Sequence, residues 1–136
     1  MMADYTFKLE GDEEFLEKLR TIEKKAPDRI LDKLDDEGKK LRKAARKNTP
    51  KISGKLRKGY KLLPVEKVQG GYRKGITNTT PYFGLVERGH RQVNKHGKTT
   101  GFTSGKFYLE KTVKQEEDGV NERLEEWLNT LYKELK

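Results

Sequence analysis

The sequence predicts an α+β fold: two N-terminal helices and a long C-terminal helix packed on a small, mainly antiparallel sheet, with a long flexible loop. Apolar residues recur at helical spacing near both ends, as Phe15, Leu16, Leu19 and Ile22 and again as Leu124, Trp127, Leu128 and Leu131. Between them lies a stretch rich in tyrosine, valine and leucine, broken by Gly70-Gly71, which reads as strand and turn. The 136 residues leave room for one modest core, so one domain over 1–136 is expected.

Tyr5, Phe7 and Leu9 alternate with Thr6, Lys8 and Glu10, the period of a half-buried strand. Gly11-Asp12 then breaks the strand and offers a helix N-cap, with acids following in the first turn of a helix from Glu13 to about Lys24. Pro27 suits the first position of a second helix. Its stripe of Ile30, Leu31, Leu34, Leu41 and Ala45 runs to Asn48-Thr49-Pro50, with Gly38 as its weak point. Beyond Pro50, the stretches Leu56–Val68 and Tyr72–Thr77 read as a hairpin, and Pro64 puts the first strand at an edge or bulge. Tyr82–Val86 is a short apolar strand or helical turn. From His90 to Gly105 the chain is polar and basic and reads as a mobile loop or arm, too long for an ordinary connection. Thr103 or Ser104 can cap the last helix, which Asp118-Gly119 can kink.

Enzymatic chemistry finds little support in these residues, and no enzyme activity, cofactor or metal is expected. The absence of cysteine excludes a disulfide framework and thiolate chemistry. Glu87 and His90 have metal-ligand spacing, but Gly89 lies between them and no second ligand pair exists. The glycine clusters lack the G-x-x-x-x-G-K-[ST] order of a phosphate loop, and Ser53 and Ser104 have no evident triad partners. No segment resembles a signal peptide or membrane span, so a soluble, intracellular chain without membrane contact is expected.

Charge is the strongest compositional signal, because the net +9 is unevenly distributed. Between Lys39 and Lys74 there is one acid, Glu66, while both flanks lean acidic. Lys39, Lys43, Arg46, Lys47, Lys55, Arg57 and Lys58 are candidates for an interface or a DNA-facing surface, and Tyr60 and Tyr72 could stack on bases or fill a core. The alternative is the charge order of an ordinary helix, with acids near its start and bases near its end. His90, Arg91, Lys95, His96 and Lys98 mark a candidate assembly arm.

The order of short motifs resembles a phage family of tail-component or tail-completion proteins, placed at the head-to-tail neck of long-tailed phages. The family pattern is a basic helix ending in proline, a T-G-x-L-x-x-S turn, a hairpin, a Y-A-x-x-V-E-x-G segment and a glycine-containing loop before a P-F-L helix. Thr49–Lys58, Pro81–His90 and Lys106–Leu109 carry the match, with Ser53, Gly84 and Lys106 departing from it. The resemblance implies that Pro50, Ser53, Gly54, Leu56, Tyr82, Val86, Glu87, Gly89 and Phe107 serve structure or assembly. It also implies a structural virion protein assembled in the host cytoplasm, a hexameric ring of copies, and head connector and tail tube proteins as partners. The rival function is a basic module making non-specific phosphate contacts with nucleic acid. For Glu87 both an intrachain salt bridge and an intersubunit contact remain open.

Overall fold

The computed structural model of the chain describes residues 4–50 and 54–136. A first strand, β1 (Tyr5–Glu10), leads into two helices, α1 (Glu13–Lys25) and α2 (Pro27–Asn48). The Asp12 side chain accepts the Phe15 amide at 2.9 Å, capping α1 as the sequence suggests. Only Ala26 separates the helices, and Pro27 starts the second where its missing N–H is not needed. A short helix, α3 (Gly54–Lys58), precedes β2 (Tyr60–Leu62), β3 (Glu66–Val68) and β4 (Gly71–Asn78). Then come α4 (Phe83–Arg88), a ribbon of β5 (Gly89–Val93) and β6 (Thr99–Ser104), and α5 (Tyr108–Leu135).

In the main sheet β4 is central and every pairing is antiparallel. β1 lies along one side, from Tyr5 opposite Ile76 to Glu10 opposite Gly71. β2 and β3 share the other side as two pieces of one strand, interrupted where Pro64 cannot donate a ladder hydrogen bond. Leu56 is therefore not a strand residue: it is the buried anchor of α3, and the strand begins at Tyr60.

Two apolar clusters hold these elements. Leu9, Leu19, Ile22, Ile30 and Leu34 meet Val120, Leu124, Leu128 and Leu131 of α5, with Trp127 half-buried beside them. Leu41, Ala45, Leu56, Tyr60, Ile76, Phe83 and Leu109 form the second. Both long helices serve both clusters, and α5 runs unbroken through Asp118-Gly119 for its 28 residues, about 42 Å at 1.5 Å per residue. Gly38 proves to be a packing position. A Cβ there would lie 3.1 Å from the Lys74 side chain and 3.4 Å from Leu62, so glycine lets the sheet approach α2.

On α2, between Leu34 of the first cluster and Leu41 of the second, sits the fully buried Glu37. Arg123 of α5 grips its carboxylate with bonds of 2.8–3.0 Å, and Lys33 and Lys40 lie within 3.3 and 3.6 Å. Burial by itself would raise the Glu37 pKa, but the hydrogen bonds from Arg123 and Lys33 and the surrounding positive charge bring it below the usual 4.5. A carboxyl depressed on folding stabilises fully above its unfolded value, and that contribution disappears as pH falls through the folded value.

Two outcomes follow for stability. Leu128→Ala is expected to cost about 3 kcal/mol in urea unfolding, against under about 0.5 for the exposed Leu31→Ala. Glu37→Gln is expected to lower stability at pH 7 and to flatten the acid loss below pH 4.5, read from melting temperatures across that range.

Candidate functional site

The motif segments, separate in sequence, meet where α4, the base of the ribbon and the start of α5 come together. Phe83 and Glu87 lie on the buried side of α4, and Tyr82 and Leu85 are exposed. The Phe83 ring meets Tyr60 edge to face, with centroids 6.0 Å apart, on the floor of the second cluster. Val86 is half-buried against the same floor.

Glu87 is completely buried, and its carboxylate accepts the first amides of α5: Leu109 N–H at 3.0 Å and Glu110 N–H at 2.9 Å. No side chain within that helix caps it, since the N-cap position is Phe107, in the left-handed conformation at φ 51°. Neither Thr103 nor Ser104 caps the helix, because both belong to β6. Glu87 thus supplies from 22 residues away the acceptor that a helix start requires. Of the two readings left open by sequence, neither the salt bridge nor the intersubunit contact describes this bonding. The Tyr5 hydroxyl lies 3.5 Å from the same carboxylate, and burial, followed by the Glu87 charge, pushes its pKa up to about 12.

The backbone closes the junction from the other side. Lys106 and Phe107 donate their amides to the Val86 and Glu87 carbonyls at 2.8 and 3.0 Å. Gly89 has φ 86°, and a Cβ there would press into Thr103 and Gly105; one on Gly105 would press into Glu87 and Arg88. From this base the ribbon extends in register, Gly89 opposite Ser104 and Arg91 opposite Phe102, with an irregularity at Gln92/Val93. Read from sequence as a loop, residues 90–105 instead form this two-stranded ribbon, because Thr, Gln and Val tolerate pairing even where there is little to bury. Its tip turns on Asn94, whose side chain accepts the His96 and Lys98 amides at 2.9 and 3.0 Å. Arg91, Lys95, His96 and Lys98 are exposed, as are Val93 and Phe102. His90, at the base, has its Nδ1 buried without a hydrogen-bond partner among the described residues.

The Pro50-to-Leu56 motif adjoins this junction through the second cluster. Ser53 lies outside the described residues, Pro50 and Gly54 are exposed, and Leu56 is fully buried. Thr49, which opens the matched motif, and Asn78, which the sequence does not single out, hold the neighbourhood together. Thr49 bonds the Tyr60 hydroxyl at 2.9 Å, and Asn78 donates to the Leu56 carbonyl at 2.8 Å. The only sequence signal of Asn78 is polarity beside apolar anchors. Tyr60 is thereby a core residue, and Tyr72, half-buried, donates to Glu23 at 2.6 Å. The Tyr60 ring is not presented for stacking on bases.

The basic block divides into three kinds of residue. Lys40, Lys67, Arg73 and Lys74 are paired with acids, Lys74 almost buried against Asp35 at 2.7 Å. Arg46 and Arg57 are half-buried braces, each guanidinium donating to the other's carbonyl, at 3.2 and 2.9 Å. Lys39, Lys43 and Lys47 are exposed at steps of four along one stripe of α2, and Lys55 and Lys58 are exposed on α3. Among the described residues these five make no ion pair, no cluster of acids and histidines could hold a metal, and no helix is long and apolar enough to cross a membrane.

Residues 13–89, more than half of the chain, match a protein family described as "Bacteriophage HK97-gp10, putative tail-component". No curated protein and no solved structure matches the chain. The matched span ends at Gly89, the base of the ribbon.

Removing the Glu87 acceptor tests the junction. Glu87→Ala should cost about 2 kcal/mol or more, as loss of a buried cap does, and should speed amide exchange at Leu109 and Glu110. Glu87→Gln, which keeps a single acceptor oxygen, should fall between the two; equal exchange in all three proteins would show that the cap contributes nothing.

Proposed function

Because the chain belongs to the HK97-gp10-like family of bacteriophage tail components, we propose that it is a tail-completion or head-to-tail joining subunit whose copies close into a ring at the head–tail interface. A tail component is a structural part of the virion, and assembly in the host cytoplasm, with head connector and tail tube proteins as neighbours, belongs to the proposal. The observation that carries it is the junction at Glu87. Tyr82, Val86, Glu87, Gly89 and Phe107 converge there around a ribbon whose outer residues, 91–100, are all exposed. An isolated subunit has no use for such a ribbon in its core, whereas a subunit of an assembly can lay it on a neighbour. A closed ring is the finite outcome when unlike surfaces of identical copies meet, and the six copies expected from the family resemblance are part of the same proposal.

Non-specific contact with DNA is a second reading, favoured by one observation: the Lys39, Lys43 and Lys47 stripe continued by Lys55 and Lys58. It is compatible with the first, since a neck encloses the passage of DNA.

Phage lacking this gene are expected to accumulate unjoined heads and tails, and the supplied protein should restore particles; normal particles without it would rule out a tail-completion role. For the DNA reading, Lys39→Gln/Lys43→Gln/Lys47→Gln should weaken duplex binding and reduce its logarithmic salt slope by roughly 0.9 for each phosphate no longer neutralised. An unchanged slope would remove the stripe from any DNA contact.

A further inference from the structure

Among the described residues, β4 pairs one side of β1 and no strand pairs its outer edge. That edge borders a cleft of about 860 Å³ between β1, the start of α1 and one face of α5. Its floor is apolar, with Phe7, Leu9, Val120, Leu124 and Leu128 among its lining. The charged residues lining it are Glu10, Asp12, Glu14, Glu116, Glu117 and Glu125, against Lys8 and Lys18. Lys18 is already engaged by Asn129 at 2.9 Å and Glu14 at 3.6 Å. In a chain of net charge +9, a cleft with this acidic excess is selective for a cationic occupant.

The same chain carries an element with the complementary properties. Residues 89–106 include Arg91, Lys95, Lys98 and Lys106 and no acid. Phe102 is 65% exposed and Val93 53%, the two most exposed large apolar residues in the described chain. β6 has six residues, as β1 has, so one strand can pair along the full length of the other. Among the described residues β5 and β6 pair only with each other, which leaves each a free edge. Within one copy, residues 91–100 remain exposed and do not line the cleft.

We infer that the β5–β6 ribbon of one copy docks in the β1–α5 cleft of the next, adding its strand to the free edge of β1, placing Phe102 over the apolar floor and its cations among the cleft's carboxylates. The contact joins two different patches, so it is heterologous and repeats from copy to copy. This rests on the proposed self-assembly and supplies it with a donor and an acceptor surface.

The chain has no cysteine, which makes disulfide trapping a direct test. Thr6→Cys and Thr103→Cys keep Phe102 in place and lie on the sheet face opposite it in the docked arrangement; they are made as separate variants, mixed and oxidised, as purified protein and again within assembled tails. The mixture is expected to give the mixed dimer about tenfold faster than a control mixture of Leu31→Cys with Thr103→Cys, a ratio equivalent to 1.4 kcal/mol of docking. Lys95→Glu/Lys98→Glu in the donor should abolish that advantage, and Glu116→Lys/Glu117→Lys in the acceptor should restore it. Trapping no faster than control in both settings overturns the inference, as does trapping unaffected by the charge reversals. If the variants join tails but are not trapped, the cleft is empty or holds another tail protein, and docking fails while the tail function stands. If the purified chain is trapped but never enters tails, docking stands and the tail function fails.

Discussion

A carboxylate with no exposure to water needs donors, and the first amides of α5 need an acceptor; Glu87 meets both requirements at once. The rest of the junction depends on this exchange. It fixes α4 to α5, so that Phe83 and Leu109 face the same cluster as Leu56 and Tyr60. It also determines where the ribbon emerges, because the chain must leave α4 at Gly89 and return through Gly105 in time for Phe107 to present the helix start. Phe107 adopts a left-handed conformation that is unfavourable for a non-glycine residue, and the bonds around it hold it there.

Charge in this protein performs two separate tasks. Inside, Glu37 with Arg123 and Asp35 with Lys74 join α2 to α5 and to the sheet, and the Arg46–Arg57 braces hold α3 against the end of α2. Outside, the lysine stripe, the cationic ribbon and the acid-rimmed cleft leave uncompensated charge of both signs on different faces. Side chains of one composition class therefore serve folding at one position and recognition at the next, and only their partners distinguish them.

The elements legible in the sequence are those whose physics is local. The stripes of α1, α2 and α5, the Asp12 cap and the Pro64 interruption each follow from spacing within a few residues. What sequence does not disclose depends on residues far away. Glu87 caps a helix 22 positions later, and Gly38 accommodates a side chain from β4. Gly54–Lys58 is too short to show a period, and Leu56 reads as strand for that reason. The ribbon is hidden differently, since strands that bury neither face lack the alternation by which strands are found. The site follows the same pattern: the motif residues are recognisable, but Asn78 gives no sign of its role, and the cleft beside β1 draws its walls from residues 6 to 129.

The ribbon's two ends stand under unequal constraint, and this bears on how such a protein can diverge. At the base, Gly89 and Gly105 exclude any side chain, because the backbones of opposing segments already occupy the space. Toward the tip, the side chains from Arg91 to Thr100 face solvent. Substitutions there change charge and shape without disturbing the core, while substitutions at the base cost the fold. A lineage can therefore exchange one binding partner for another by rewriting the tip alone, inheriting the base unchanged.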